Sequence, residues 1–384
     1  MGLAGDQSKA ASSAVVKRDE RDDDGNPMTL IRPEPAPQPD ELEVVTRRTD
    51  PAWAASALLN GQALLVSDLF STGLGILSRL RGMVRAELPE NRPGQGAEYE
   101  TERAFRSQFR RASNLLLAPI ENHQLLLRKA PQIDWFPLLY PEIGAFLLPF
   151  PQVQGLNSSW QWYERGIEIP TLRRRLHPYY GTYFPTRFEH LELFARWLDT
   201  FSGSKQTAID VGTGCGVLAF QLCDAGFDRV IATDINPNAI ESVALDCQRL
   251  KATPGIALHH SDLLQAVSEP ADLIVFNPPW LPGEIHSEID RAIYYDDSLF
   301  ERFFAQASAR LKPQGRLVLL FSNLITRTDK GGRHPIEHEI QAGCRFQRVC
   351  KLQERVQAAS KKTKRRRRDP KQERVELWEL APLS

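Results

Sequence analysis

Two short motifs each follow an apolar, strand-like run, and together they carry the residue types of one active site. The first is the glycine-rich stretch at residues 210–216, and the second is Asn277-Pro278-Pro279-Trp280. Glycines between a strand and a helix let the backbone approach a ligand that a Cβ atom would exclude, so the first motif is suited to a nucleotide-like cofactor. The second motif is suited to hold an amino group by its hydrogens.

The chemistry of the second motif depends on carbonyl oxygens in fixed directions. Two consecutive prolines fix φ twice and orient the neighbouring carbonyls. An amide or aromatic amine is a poor nucleophile because its lone pair is delocalised. If the Asn277 side chain and the Pro278 backbone each accept one N–H, the nitrogen can move toward tetrahedral geometry, and Trp280 offers a flat face for a planar substrate.

Acidic residues close the strand-like runs around the glycine loop. Asp234 comes twenty residues after Gly214, where a carboxylate can accept from ribose hydroxyls, and Asp262 ends the next run, where it could receive an adenine amino group. The Gly-x-Gly-x-Gly spacing differs from the Gly-x-Gly-x-x-Gly of dinucleotide binders and so disfavours a nicotinamide cofactor. The predicted cofactor-binding residues are Asp210, Gly212, Thr213, Gly214, Gly216, Asp234, Asp262 and Asn277.

Alternating strands and helices must position these motifs, and such alternation predicts an α/β fold with a parallel sheet. Helices are expected at 217–223, 238–250 and 298–311, with a further one near 335–342. The expected strands are 207–211, 229–233, 256–260, 272–276, 316–321, 346–356 and 374–380.

The motifs and the order of these elements resemble class I S-adenosylmethionine-dependent methyltransferases over residues 180–384, about half of the chain. In that family the sheet is Rossmann-like and seven-stranded, and its last strand is antiparallel. The motif at 277–280 is similar to the Asn/Asp-Pro-Pro-aromatic motif of amino-methyltransferases. That group contains the release-factor glutamine methyltransferases and the guanine and adenine amino-methyltransferases of RNA.

The resemblance implies S-adenosyl-L-methionine as the methyl donor, with the glycine loop around its methionine and ribose portions. Asp210 would then orient the loop or the methionine ammonium. The expected catalytic residues are Asn277, Pro278, Pro279 and Trp280, although Tyr or Phe is more usual than Trp at the fourth position.

The first half of the chain differs in character. Residues 1–50 are charged and proline-rich, so they are expected to form a disordered tail. Residues 51–170 are expected to form a smaller mixed α/β N-terminal domain that recognises the substrate. Before the first helix of the 180–384 domain, Thr186 and Glu189 have capping-box spacing.

Charge is distributed unevenly although the formal net charge is zero. From residue 341 onward there are thirteen Lys/Arg against five Asp/Glu. A basic run at 361–368 lies between the two last expected strands, and its loop would emerge at the same sheet edge as Asn277 if the first of them is parallel. It could contact RNA phosphates or be a solvated hairpin tip. Its predicted substrate-binding residues are Lys361, Lys362, Lys364, Arg365 and Arg366, together with Trp280.

The histidine motif, the cysteines and the hydropathy pattern say less about function. His334-Pro-Ile-Glu-His338 matches an inverted zinc-peptidase motif, but it lacks an evident third ligand, so no metal is expected. Five cysteines without a Cys-x-x-Cys pair favour free thiols in a reducing compartment. Without an apolar stretch of eighteen residues or a signal pattern, the expectation is a cytoplasmic protein with no membrane span.

The sequence therefore predicts an S-adenosylmethionine-dependent N-methyltransferase. The first candidate acceptor is an exocyclic amine of a base in ribosomal or transfer RNA. Methylation of a protein glutamine in a translation factor or ribosomal protein is the alternative with the same chemistry. A catalytically silent RNA-binding protein and a nicotinamide-dependent oxidoreductase are the alternatives from other classes.

Overall fold

The computed structural model describes residues 29–87, 95–250, 255–283, 293–325, 333–343, 345–357 and 373–383. These residues divide into two compact units. One comprises residues 32–164, and the other contains the chain from residue 165 onward together with residues 29–31.

The 32–164 unit is built on a mixed five-stranded sheet. Three strands, β1 to β3, are parallel neighbours, and β4 and β5 both pair antiparallel with β3. The strands are β1 (Glu43–Val45), β2 (Leu64–Val66), β3 (Leu116–Glu121), β4 (Gln124–Leu125) and β5 (Ala145–Pro149). The helices are α1 (Pro51–Leu59), α2 (Phe70–Glu87), α3 (Gln95–Ser113), α4 (Trp135–Leu139) and α5 (Phe150–Arg165).

The predicted disordered tail, residues 1–50, includes residues that form a strand in the structure. Strand β1 lies inside it and pairs in parallel with β2, with Val45 fully buried. Asp50 then caps α1 by accepting from the Ala52 backbone N–H at 3.0 Å, and Pro51 occupies the first helical position. A three-residue strand is too short to give a periodic signal, so it could not be recognised among the charged residues. Residues 1–28 lie outside the described part of the chain.

The other unit carries a second sheet with helices between its strands. Its strands are β6 (Ile167–Glu168), β7 (Arg175–Leu176), β8 (Thr207–Val211), β9 (Arg229–Asp234), β10 (Ile256–His260), β11 (Ala271–Phe276), β12 (Leu281–Pro282), β13 (Tyr294–Tyr295), β14 (Leu311–Ser322), β15 (Phe346–Arg355) and β16 (Arg374–Pro382). Its helices are α6 (Glu189–Thr200), α7 (Val217–Asp224), α8 (Pro237–Leu250), α9 (Leu299–Arg310) and α10 (Pro335–His338), which continues as a π-helix over Glu339–Gly343.

Seven of these strands form one sheet in the order β10-β9-β8-β11-β14-β16-β15. Strands β8 to β11 and β14 are parallel, whereas the last strand, β16, is antiparallel to both β14 and β15. The prediction of a seven-stranded α/β sheet with an antiparallel last strand is therefore confirmed. Two small ribbons, β6–β7 and β12–β13, lie outside this sheet.

Both faces of the seven-stranded sheet are buried, which explains its nearly continuous apolar strands. Successive side chains of a strand point to opposite faces. In β11, Leu273 and Val275 belong to the core that also includes α6, α7 and α8 residues, whereas Ile274 and Phe276 belong to the core against α9. All four side chains are less than 5% exposed. These two cores hold the strand ends, and the loops that follow them, in fixed positions.

The predicted capping box at Thr186 and Glu189 is wrong. Helix α6 begins at Glu189 itself, with Phe188 as its N-cap and no capping side chain. The Glu189 carboxylate is buried and accepts from the distant Gln357 backbone N–H at 2.9 Å. The Glu189 side chain therefore forms a long-range hydrogen bond and does not cap its own helix, as the local pattern predicted.

Within the described residues, none of the helices combines the length and the apolar character that a membrane crossing requires.

Candidate active site

The two motifs leave neighbouring strands at the same level of the sheet. Val211, the last residue of β8, is the register partner of Phe276, the last residue of β11. Adjacent strands lie roughly 4.8 Å apart, so Gly212 and Asn277 begin their loops side by side. A Cβ atom added at Gly212 would lie 3.2 Å from the Phe276 ring. The carboxyl edge of the sheet therefore brings both halves of the predicted site together.

The glycine loop adopts a backbone that favours glycine. Gly214 and Gly216 have φ values of +54° and +85°. A Cβ atom at Gly216 would lie 2.9 Å from the Val243 side chain of α8, and one at Gly214 would lie 3.1 Å from the Tyr183 carbonyl oxygen. Neither position accepts a larger residue without displacement of a neighbour, so the loop keeps its backbone open toward the sheet edge.

Asp210 is the fully buried anchor of this loop. Its Oδ2 accepts from the Thr213 hydroxyl at 2.7 Å and from the Ala219 backbone N–H in α7 at 2.9 Å. Its Oδ1 is buried and has no hydrogen-bond partner among the described residues. Burial raises the pKa of Asp210 to about 7. A buried carboxylate oxygen without a partner is suited to receive a cationic group.

Asp234 fixes the loop from the next strand. Its Oδ2 accepts from the Gly214 backbone N–H at 2.8 Å, and its Oδ1 accepts from the Asn236 backbone N–H at 2.8 Å. The glycine loop is thus fastened between the carboxylates that close β8 and β9.

Asp262, after β10, has a different environment. It is half-buried and forms an ion pair with Arg302 of α9. The Arg302 guanidinium also lies 4.0 Å from the Asp296 carboxylate. Asp262 therefore lies at the expected edge of the sheet, but a ligand amino group would share it with an arginine.

The residues after β11 form the other side of the edge. The Trp280 indole N–H is shared between Asn277 Oδ1, at 3.2 Å, and the Leu320 backbone oxygen of β14, at 3.3 Å. Trp280 is half-buried and packs against both cores of the unit. Asn277 and Pro278 precede it, with Asn277 half-buried and Pro278 buried. The motif is therefore held rigidly, with the Asn277 side chain tied to the aromatic residue.

This geometry agrees with comparisons to known proteins. Residues 191–330 match the methyltransferase small domain family. This match lies within the unit that contains the seven-stranded sheet.

Three relatives are similar to parts of this chain. A putative protein N5-glutamine methyltransferase of Methanocaldococcus jannaschii is 27% identical over 165 residues, covering 41% of this chain and 80% of that protein. A release factor glutamine methyltransferase of Deinococcus radiodurans is 35% identical over 30% of this chain and 45% of that protein. A ribosomal protein L11 methyltransferase of Geobacillus kaustophilus is 34% identical over 29% of this chain and 30% of that protein. The chain thus spans less than half of the latter two relatives.

One solved structure also matches part of this chain. The ribosomal protein L11 methylase of Lactobacillus delbrueckii subsp. bulgaricus is 22% identical, with a TM-score of 0.38, and the match covers 55% of this chain and 85% of that one.

One segment beside the glycine loop, residues 179–184, was not expected from the sequence. Residues 179–184 are tied to the start of α8 by two asparagine side chains. Asn236 Nδ2 donates to the Gly181 oxygen at 3.0 Å, and Asn238 Nδ2 donates to the Tyr180 oxygen at 2.7 Å. Two asparagines flanking Pro237, directly after the strand that ends in Asp234, were the available signal.

His190 is a second residue near the motif that the sequence did not indicate. It is 3% exposed, and its ring lies edge-on to Trp280 with ring centroids 5.4 Å apart. Neither ring nitrogen has a hydrogen-bond partner within the described ranges. Burial lowers the pKa of His190 to about 4, so the ring is neutral at pH 7. An isolated histidine ninety residues before its partner gives no sequence signal.

A substitution of His190 tests whether its nitrogens lack partners in solution. We expect His190→Phe to raise stability by about 1 kcal/mol, because phenylalanine keeps the ring contact and removes two unsatisfied polar atoms. This corresponds to a rise of about 2 °C in the thermal unfolding midpoint measured by calorimetry. His334→Phe is the matched control and should lower the midpoint, since it breaks a buried bond to Glu376. A lower midpoint for His190→Phe would contradict the expectation.

The histidine motif at 334–338 has a structural role in the unit that contains the seven-stranded sheet. His334 Nε2 lies 3.1 Å from a Glu376 carboxylate oxygen of β16, and its Nδ1 accepts from the Glu337 backbone N–H at 3.4 Å. Burial opposes ionisation of Glu376, but the His334 hydrogen bond and the Lys351 charge lower its pKa to about 2. Both imidazole nitrogens are therefore engaged in attaching α10 to the sheet. Among the residues that the structure describes, no cluster of three metal-ligating side chains occurs.

The basic run with Lys361, Lys362, Lys364, Arg365 and Arg366 lies outside the described residues. The structure does describe the strands on either side of this run, β15 and β16. Arg355, the last residue of β15, is the register partner of Arg374, the first residue of β16, while Ser322 at the end of β14 pairs with Val375. Both flanks are therefore at the carboxyl edge, as expected from a parallel β15. Like charges in directly opposed strand positions repel each other.

Proposed function

We propose that this protein transfers a methyl group from S-adenosylmethionine to an amino or amide nitrogen. The observation that carries the proposal is the register of β8 and β11, because it places the Asp210 loop and the Asn277 motif side by side at one edge of the sheet. One bound donor can then lie beside one bound acceptor, so that proximity and orientation supply much of the rate enhancement.

The chain's own residues fit this donor. The unpartnered Oδ1 of Asp210 provides a buried acceptor for an ammonium group. Gly212, Gly214 and Gly216 keep the loop backbone open, and Asp234, which closes β9 at the same edge of the sheet, is the proposed acceptor for ribose hydroxyls. Thr213 acts through Asp210, toward which its hydroxyl points. When bound, S-adenosylmethionine supplies a sulfonium methyl that is already activated for transfer, and Asp262 is the proposed contact for its adenine amino group.

On the acceptor side, the proposed catalytic groups are carbonyl oxygens. Asn277 Oδ1 and the Pro278 backbone oxygen each accept one N–H of the acceptor nitrogen. These bonds favour a tetrahedral nitrogen and stabilise the positive charge that develops on it. The methylated nitrogen would then lose one proton to water, with the neutral thioether of the donor as the leaving group. Pro279 keeps the direction of the Pro278 carbonyl fixed, and Trp280 provides an aromatic surface for a planar acceptor.

The first candidate acceptor is an exocyclic amine of an RNA base. It is supported by Arg355 and Arg374, which oppose each other at the carboxyl edge and continue into a run with seven cations at 361–368. An RNA backbone would relieve their mutual repulsion. The second candidate is a protein glutamine amide, which is supported by the names of two relatives. Either acceptor belongs to the translation machinery, so a cytoplasmic location is part of this proposal. The 32–164 unit is proposed to recognise the acceptor.

The proposal is tested by incubating the protein with S-adenosylmethionine labelled in its methyl group. Total RNA and a mixture of ribosomal and release-factor proteins serve as parallel acceptors. We expect N-methylated nucleoside after RNA digestion; N-methylglutamine from the protein fraction would select the second candidate. Label on carbon or oxygen only, or binding of RNA with no transfer to any acceptor, would contradict the proposed function.

The arginine pair gives a separate test of the RNA candidate. We expect Arg355→Gln with Arg374→Gln to weaken RNA binding and to reduce the slope of log affinity against log salt by about 1 to 2, because two phosphate contacts are lost. Fluorescence anisotropy over a salt series measures this slope. The control pair, Arg229→Gln with Lys312→Gln, removes two cations from the opposite edge. An equal slope for both variants would count against RNA at this edge.

A further inference from the structure

The Asn277 side chain poses a problem of orientation that the Asn-Pro-Pro motif alone does not solve. Its amide has an oxygen, which accepts hydrogen bonds, and a nitrogen, which only donates them. Rotation by 180° exchanges the two ends at almost no change in shape. Only one orientation presents the acceptor that a substrate N–H requires, so something in the protein must select it.

Trp280 provides that selection. Its indole N–H can only donate, and it lies 3.2 Å from Asn277 Oδ1. In the reversed amide, the Asn277 NH₂ group would face this N–H, and two donors would oppose each other. The oxygen has two lone pairs, so one can accept from Trp280 while the other accepts from a substrate N–H.

The indole itself has little freedom to turn away. The same N–H lies 3.3 Å from the Leu320 backbone oxygen of β14, and His190 lies edge-on to the ring at 5.4 Å between centroids. Trp280 also packs against both cores of the unit. The β14 backbone and the buried His190 side chain thus hold the Trp280 indole N–H in place, and the indole N–H in turn holds the Asn277 amide.

We propose that Trp280 is a positioning residue that keeps the carbonyl end of Asn277 toward the acceptor nitrogen. This role rests on the proposed function, because it requires Asn277 to accept a substrate N–H. It is distinct from stacking on the acceptor, since it belongs to the indole N–H and not to the aromatic face. It also gives a reason for tryptophan here, because a phenyl ring has no donor at this place.

A double-mutant cycle separates the two roles. Trp280→Phe removes the N–H and keeps an aromatic face, and Asn277→Asp replaces the amide by a group with two oxygen ends. In the protein that retains Asn277, we expect Trp280→Phe to lower kcat roughly three- to tenfold, because one hydrogen bond is lost. The KM for the methyl donor should not change. In the Asn277→Asp background the same change should lower kcat by less than about twofold, because a carboxylate has no wrong orientation.

Trp197→Phe is the matched control. Trp197 also donates its indole N–H to a side-chain oxygen, that of Glu379, at 2.9 Å, but it lies in α6 about two helical turns beyond His190 and bonds to a residue outside the motif. Its substitution should lower stability and leave kcat within twofold. An equal loss of kcat from Trp280→Phe in both Asn277 and Asn277→Asp backgrounds would overturn the inference and assign Trp280 to stacking alone. The proposed function would fail separately if the original protein transferred no labelled methyl group to nitrogen in either acceptor fraction.

A spectroscopic measurement tests whether the Trp280 indole N–H holds the Asn277 amide, and it does not depend on turnover. The indole N–H resonance of Trp280 is assigned in a ¹H–¹⁵N spectrum by its loss in Trp280→Phe. We expect it to move upfield in Asn277→Ala, because one of its two acceptors is removed, whereas the Trp197 resonance stays in place. An unchanged Trp280 resonance would show that the indole does not hold the amide.

Discussion

Asn277→Ala should reduce methyl transfer by a factor on the order of 10² to 10³ while donor affinity stays within about twofold of the original. The substitution removes one of the two carbonyls that accept from the acceptor nitrogen, so the developing charge on that nitrogen loses a preorganised partner. Donor contacts are proposed to lie mainly on the Asp210 loop and Asp234, which the substitution does not touch. Single-turnover transfer of labelled methyl and calorimetric donor titration measure the two quantities.

Asn277→Asp is the control for this prediction, because it keeps an acceptor oxygen at the same place and should retain measurable transfer. Thermal unfolding of both variants shows whether the change at this half-buried position affects the fold. Transfer by Asn277→Ala within tenfold of the original protein would mean that Asn277 does not hold the acceptor nitrogen.

The donor half of the site could be predicted because its determinants are close in sequence. Strand β8 covers Thr207–Val211 and β10 covers Ile256–His260, the bounds that their apolar runs indicate. Glycine at 214 and 216 marks a backbone that other residues rarely adopt. A parallel sheet then brings the ends of its strands to one edge without further information.

The acceptor half could be predicted only in part, because its contacts join distant residues. His190 contacts Trp280 across ninety positions of the chain, and the Leu320 oxygen reaches the same indole from forty positions away. No local pattern encodes either contact. The hydrogen-bond partner of Asn277, which decides what its amide can do, therefore became apparent only in the folded chain.

Local patterns also failed where a distant partner competed for the same side chain. Glu189 has the spacing of a capping residue, yet it binds the Gln357 backbone 168 positions later. His334 has the spacing of a metal ligand, yet Glu376 of the last strand engages it. In both cases a buried polar group binds a partner that is distant in sequence, because burial without any partner would cost about 1–3 kcal/mol.

Burial of Asp210 leads to a second large effect, on the pH dependence of donor binding. Its pKa is raised to about 7 by burial, so the protonated form predominates below that pH in the substrate-free protein. A cationic donor group would need the carboxylate. We therefore expect affinity for S-adenosylmethionine to rise roughly tenfold per pH unit up to about pH 7 and to fall again above about pH 8, where the donor's α-ammonium group loses its proton. Calorimetric titration between pH 5.5 and 8.5 measures this profile.

Stability of the substrate-free protein should change in the opposite direction. A carboxyl whose folded-state pKa is raised contributes stability that is fully present below its unfolded pKa of about 3.8, and this contribution is lost as pH rises through about 7. The donor should therefore raise the unfolding midpoint more at pH 8 than at pH 6. Asp210→Asn, which cannot ionise, should bind the donor weakly at both values and remove the pH dependence. If the variant kept the slope of the original protein, another group would have to hold the donor cation, and the unpartnered oxygen of Asp210 would be a structural anchor alone.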